Sequence, residues 1–206
     1  MNFKTSFAIA ALALACFSSS ADARGNGNNW LFYVGGDYQY TKPSWEAPFD
    51  KVLANSLDNG IDIHVGARWN GYFAAELGYT QSTGDRDIYG PPPAAGVKGP
   101  LVAKTDVTIS GPTLDGFAYL PLGNSGVAAF GTAGLSYLSG RAKIDVIASG
   151  ATTAHKTELG YRGGVGVEWR PAPYFGVRFM GRYQSADFNG VAKSALVGSV
   201  GFNFYL

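Results

Sequence analysis

Along most of the chain the apolar positions recur every second residue, the period of a strand with two unlike faces. Residues 30–40 place Trp30, Phe32, Val34, Gly36, Tyr38 and Tyr40 on one face and Leu31, Tyr33, Gly35, Asp37 and Gln39 on the other. Residues 61–69 alternate most cleanly, with Ile61, Ile63, Val65, Ala67 and Trp69 against Asp62, His64, Gly66 and Arg68. Asn70-Gly71 predicts a tight hairpin, because both residue types tolerate positive φ. Residues 73–80 then return, with Phe73, Ala75, Leu77 and Tyr79 opposed to Ala74, Glu76, Gly78 and Thr80. Further strands are predicted over residues 127–138, 155–170, 175–184 and 194–206. A fourth falls within residues 103–120, where Gly111-Pro112 interrupts it and leaves the phase ambiguous; a bulge would explain the interruption.

The connections alternate in length. Long or moderate ones carry Pro43, Trp45 and Pro48; the Gly- and Pro-rich residues 82–102, expected not to continue a strand because Pro lacks the ladder donor; residues 148–154, with 141–146 as an optional extension of the hairpin; and residues 187–190. Short turns fall at Asn70-Gly71, residues 121–125 and Pro171-Ala172-Pro173. Short turns at one end and longer loops at the other predict an all-β fold, an eight-stranded antiparallel transmembrane up-and-down β-barrel.

Composition agrees. Charged residues make up 15% of the chain, against about 25% in ordinary soluble domains, while glycines number 29 and aromatics reach 14%. No run of about 18 or more apolar residues occurs beyond the N-terminal region, which excludes a helical membrane protein. The formal net charge of +1 implies no nucleic-acid partner. At the N-terminus, Lys4, an apolar run over residues 7–17, three serines and Ala21-Asp22-Ala23 have the layout of a secretory signal peptide over residues 1–23, leaving a barrel domain over 24–206. Cys16 is the single cysteine. The apolar segment before it is too short for a lipoprotein signal, so the mature chain is expected to have no thiol or disulfide.

A soluble periplasmic ligand-binding barrel would also alternate, with its apolar face inward. Three features favour the opposite orientation. The apolar face of strands two, three, six, seven and eight carries no charge. Aromatics form two girdles, Trp69, Phe73, Trp169 and Phe175 beside the short turns and Tyr38, Tyr40, Tyr79 and Tyr183 toward the long loops. The polar face mixes both signs: Asp62, His64, Arg68, Glu76, Glu158, Arg162, Glu168, Arg178 and Arg182 are the expected barrel-interior ionic network, with Gly66, Gly78, Gly160, Gly164 and Gly166 leaving room. An eight-stranded interior is just wide enough to be filled by side chains.

Over residues 29–206 the chain resembles the small outer-membrane β-barrel proteins, the group of the OmpA transmembrane domain and the opacity-type proteins. Ser199, Gly201, Phe204 and Leu206 match the polar, glycine and hydrophobic positions of that family's C-terminal assembly signal, with Leu206 where Phe is usual. The resemblance implies location in the outer membrane of a Gram-negative bacterium. It also implies outer-membrane lipids, lipopolysaccharide and the outer-membrane assembly machinery as partners. Relatives of full-length OmpA carry a peptidoglycan-binding domain after the barrel; this sequence stops at the last strand, so no cell-wall tether is expected.

The family also includes enzymes acting on lipid A. His64 faces inward and is read as part of a hydrogen-bond network, His155 lies at a loop edge, and no Ser–His pair of the deacylase type is visible in the sequence. The histidines lack metal-ligand spacing, so neither a metal nor a cofactor is expected. Loop residues Tyr89 with Pro91, Pro92 and Pro93, and Trp45 with Pro48, are candidate contacts for a host or extracellular ligand. The leading reading is a monomeric barrel with a structural or surface-recognition role through its extracellular loops. The alternatives are a narrow low-conductance channel constricted at Arg68, Glu76, Arg162 or Arg178, the soluble barrel, and a lipid A-modifying enzyme.

Overall fold

The computed structural model describes residues 30–45, 58–89, 99–123, 125–146, 150–185 and 192–206. The expected signal peptide, Pro48, Pro91, Pro92, Pro93 and the loop over residues 187–190 lie outside the described residues. Eight strands follow one another: β1 Trp30–Trp45, β2 Asp58–Trp69, β3 Phe73–Tyr89, β4 Leu101–Pro121, β5 Val127–Val146, β6 Gly150–Ala172, β7 Phe175–Ser185 and β8 Ala192–Tyr205. Each pairs antiparallel with the next, and β8 returns to β1 from Tyr33↔Tyr205 to Trp45↔Ala192, so the sheet closes on itself.

The alternation read from the sequence is the alternation of the wall. Val165 is 70% exposed and Leu159 67%, whereas Arg178 and Glu168 are 1% exposed. Apolar side chains cover the outside and charges fill the inside. That inversion suits lipid as the solvent and rules out the soluble ligand-binding barrel.

Several strands run further than predicted. Pro43 and Trp45 belong to β1 rather than to a loop. Among the described residues Pro43 pairs with Ala195 of β8, which holds this residue in the sheet although it has no N–H to donate. β3 continues to Tyr89 and β4 begins at Leu101, so much of residues 82–102 is strand: cross-strand partners from Thr83↔Thr108 to Tyr89↔Leu101 supply what local propensity does not. β5 and β6 likewise pair unbroken from Val127↔Trp169 to Val146↔Gly150, beyond the predicted loop boundaries. Among the described residues β6–β7 pairing starts at Arg162↔Gln184, and the described parts of β3 to β6 run further toward the long-loop end than that of β7.

Gly111-Pro112 holds no bulge. The β4–β5 ladder skips these two residues and resumes at Thr113↔Ser136 in the same register as Ser110↔Ser139. Pro112 cannot donate, and a Cβ on Gly111 would collide with the Tyr137 carbonyl oxygen, so the glycine permits the close approach of β5. The short turns are built as their residues demand. Asn70 and Gly71 take φ values of 51° and 74°. In the β4–β5 turn, the Ser125 hydroxyl donates to the Leu122 carbonyl at 2.9 Å and accepts from the Val127 N–H at 3.3 Å.

All eight girdle residues share the outer face. At the short-turn end Trp69 stacks between Trp30 and Phe73 at centroid distances of 6.4 and 6.3 Å, Phe175 meets Phe204 at 5.3 Å, and Trp169 is half exposed. At the other end Tyr161 and Tyr183 lie 6.5 Å apart, the Tyr38 hydroxyl donates to Asn59 Oδ1 at 2.8 Å, Tyr40 is exposed and Tyr79 is half-buried.

Closure makes one outcome measurable. Purified protein in detergent should run at a different gel mobility before and after boiling, because a closed ladder resists unfolding in SDS until heated; identical mobilities would contradict a closed barrel.

Candidate functional site

Inward-facing positions on every strand converge on a lumen in two layers. The lower one, nearest the short turns, is aromatic. Tyr33, Phe117, Tyr119, Phe130, Met180 and Tyr205 are buried together with Ala74 and Ala128. Phe117 and Phe130 lie 5.5 Å apart, Tyr119 and Phe130 5.3 Å, and Tyr33 and Tyr205 5.3 Å. Small residues opposite make this possible: a Cβ on Gly66 would run into the Tyr33 ring, and one on Gly166 into the Phe130 ring.

Above and between these rings lies an ionic layer whose bonds cross the lumen. Arg178 on β7 is its hub. Its Nε and Nη2 donate to the two carboxylate oxygens of Asp37 on β1 at 2.8 and 2.6 Å, and its Nη1 donates to Glu76 on β3 at 2.6 Å. Glu76 also accepts the Tyr33 hydroxyl at 2.7 Å. Arg162 on β6 forms a two-pronged pair with Asp115 on β4 and lies 3.8 Å from Asp62 on β2. Arg68 on β2 donates to Glu168 on β6 at 2.7 Å and to the Gly71 carbonyl through Nε and Nη2, while its guanidinium lies over the Tyr119 ring at 3.7 Å. Arg182 approaches Asp115 at 3.7 Å.

Strand order gives these pairs their meaning. In an eight-membered ring, β2 stands opposite β6 and β3 opposite β7. The pairs Arg68–Glu168, Arg162–Asp62 and Arg178–Glu76 therefore each span the full diameter. Guanidinium is the group for this, since its planar fork bonds two carboxylate oxygens at once. Packing is again shaped by missing side chains: a Cβ on Gly201 would strike the Asp37 carboxylate, and one on Gly134 the Asp115 carboxylate.

Of the residues predicted for the interior, Asp62, His64, Arg68, Glu76, Arg162, Glu168, Arg178 and Arg182 are buried in this layer. Glu158 is not among them. It shares their face but lies near the long-loop end, half-exposed and paired with Lys156 at 2.5 Å. Asp37 and Asp115 complete the network and were not singled out from sequence. Asp37 stands on the polar face of the first strand as its one charge, and Asp115 on the strand whose phase Gly111-Pro112 obscured.

His64 bridges Asp62 at 3.3 Å and Asn203 at 2.8 Å, with Arg178 Nη2 at 3.2 Å. Ligand atoms of Asp37, Asp62 and His64 lie within 4.8 Å of one another, a grouping invisible to sequence spacing because the residues come from two strands. Arg178 already supplies the positive charge there, so the trio reads as part of the ionic layer.

His155 does have a serine partner. Ser139 Oγ lies 2.8 Å from His155 Nε2, on adjacent strands and on the outer face. The sequence hides this pair because the two residues are 16 positions apart and meet across a ladder. Among the described residues no carboxylate bonds to His155 to orient its ring, so the contact lacks the third member of a hydrolytic triad. At the C-terminus, Ser199 and Gly201 face inward and Phe204 and Leu206 outward, and the Leu206 N–H donates to the Phe32 carbonyl at 2.9 Å.

A family described as the outer membrane protein β-barrel domain matches residues 9–204. Among solved structures, the chain is similar to Neisserial surface protein A, at 20% identity and a TM-score of 0.59, covering 84% of this chain and 96% of that one. It is similar to Ail, the attachment invasion locus protein of Yersinia pestis, at 15% identity and a TM-score of 0.52, covering 88% and 100%. A major outer membrane protein from Thermus thermophilus gives 12% identity and a TM-score of 0.60, covering 86% and 99%. At these identities the likeness is one of fold. No protein of curated function matches by sequence.

The hub generates a specific expectation. Arg178→Met leaves two buried carboxylates without their cation and should destabilise the barrel by about 3–5 kcal/mol in urea unfolding from lipid vesicles. Adding Asp37→Asn and Glu76→Gln should restore most of the loss. A single-mutant cost below about 1 kcal/mol would mean that the pairs do not hold the lumen together.

Proposed function

Since this chain belongs to the outer membrane protein β-barrel domain family, we propose that its barrel is a sealed anchor and that its function is surface recognition by the extracellular end. The protein is an integral outer-membrane barrel of a Gram-negative bacterium, and lipid and lipopolysaccharide are its immediate surroundings. The observation that carries the proposal is the set of full-diameter ion pairs, Arg68–Glu168, Arg162–Asp62 and Arg178–Glu76. They cross the section that a solute would need, and the aromatic rings packed around them occupy more of it. Among the described residues, the paired strands β3 to β6 run furthest toward the outside and offer a surface for interaction. Tyr89, exposed at the tip of β3, is one candidate contact there.

The known neighbours are compatible with this reading. Ail is named for attachment and invasion, and a structure of it has been solved with a heparin analogue, sucrose octasulfate. A recognition role for the present wall, toward a host or extracellular molecule, follows the same architecture. Assembly by the outer-membrane machinery, with Phe204 and Leu206 as the apolar end of the signal, belongs to the same proposal, as does the monomeric state.

Two measurements test it. Purified protein in planar bilayers should leave the current at baseline; regular conductance steps would favour a narrow channel. Non-adherent bacteria displaying the protein should gain adherence to cultured epithelial cells. A variant with residues 84–106 replaced by a short Asn-Gly hairpin should lose that gain while keeping heat-modifiable mobility. Equal adherence by the two would overturn recognition through this wall.

A further inference from the structure

The outer face of β4, β5 and β6 changes character at a defined height. On β5 the outward positions Val127, Ala129, Gly131, Ala133, Leu135 and Tyr137 are apolar or small, and the β4–β5 and β5–β6 registers stay in phase throughout, so the next outward residues are Ser139 and Arg141. Ten residues of a strand tilted by about 40° rise roughly 25 Å, the height of the apolar band of such barrels. Ser139 therefore lies at the upper edge of the hydrocarbon and Arg141 just above it, level with the lipid headgroups.

The surroundings of Arg141 are distinctive. Directly across the ladder it faces Thr108 on β4 and His155 on β6, both without fixed negative charge. The neighbouring acids lie one step higher: Asp106 stands between Lys143 on β5 and Asp85 on β3, Asp145 lies opposite Lys104, and Lys143 also bonds Asp145 at 2.7 Å. Arg141 and His155 are exposed, and the Ser139 hydroxyl is held against the His155 ring at 2.8 Å. A forked cation, an imidazole and hydroxyls of Ser139 and Thr108 thus converge on one patch, contiguous below with the lipid-facing wall.

We propose that Arg141, His155, Ser139 and Thr108 form a binding site for a phosphorylated headgroup of the outer leaflet, the phosphate of a glycolipid whose acyl chains pack on the apolar wall beneath. Arg141 supplies two parallel N–H bonds to phosphate oxygens, and the hydroxyls supply further donors. The site rests on the protein's outer-membrane placement and is independent of what the loops recognise. It would give lipopolysaccharide a fixed position against the wall.

The test uses the whole folded protein in phosphatidylcholine nanodiscs, titrated with fluorescent bis-phosphorylated lipid A and, separately, with the same lipid dephosphorylated. Phosphorylated lipid A should bind at least tenfold more tightly. Arg141→Gln should remove about tenfold of that preference, Arg141→Lys should recover part of it, and Ser139→Ala with His155→Gln should give an intermediate loss. Lys42→Gln, on the far wall, should change little. Gel mobility before boiling confirms that each variant is folded. Equal binding of the two lipids, or equal losses for Lys42→Gln and Arg141→Gln, would overturn the site. Either result would leave the adherence measurement standing. Appearance of deacylated lipid A would overturn it in favour of chemistry at Ser139.

Discussion

Hydrocarbon offers no partner to a backbone amide, and each unsatisfied group costs several kcal/mol there. Everything else in this molecule follows from that constraint. The ladder must close, and β8 does return to β1 over Tyr33↔Tyr205 to Trp45↔Ala192. Closure with eight strands fixes a narrow lumen, and period-two alternation then sends half of the side chains into it. The outer half must be apolar over the height of the membrane, which leaves charge with one place to go inside that height. Arginine and carboxylate cross the lumen because only a well-bonded partner makes a buried charge tolerable.

The glycines belong to the same argument. A narrow lumen that takes four arginines and a layer of aromatic rings needs positions with no side chain. Gly201 is where Asp37 must lie, and Gly66 is where the Tyr33 ring must lie. One residue can therefore answer two requirements. Gly201 fits a C-terminal assembly signal by position, and it is also the space that the Arg178–Asp37 pair needs.

Much of this was legible in the sequence because alternation is a local signal. The faces of residues 61–69 and 73–80, the Asn70-Gly71 turn and the interior placement of Arg68, Glu76, Arg162 and Arg178 all follow from parity along one strand. Two kinds of information were not local. Strand ends depend on whether a neighbour continues, so Pro43 and residues 82–89 read as loop although β8 and β4 hold them in the sheet. Contacts across strands depend on register, so Asp115, hidden behind Gly111-Pro112, and the meeting of Ser139 with His155 had no signal in either segment alone. Glu158 shows the limit of parity: it gives the face but not the height, and height decides between a buried layer and a mouth.

The central claim is the orientation of the wall, apolar outward to lipid and charged inward. It is tested most directly by a single-cysteine scan along β6, residues 159–168, with each cysteine carrying an environment-sensitive fluorophore and a quencher dissolved in the lipid phase. The sequence has one cysteine, Cys16, so the scan is made in a Cys16→Ser background. Strong quenching should fall on 159, 161, 163, 165 and 167 and weak quenching on the positions between them. Quenching in the opposite phase, or without a two-residue period, would contradict the account.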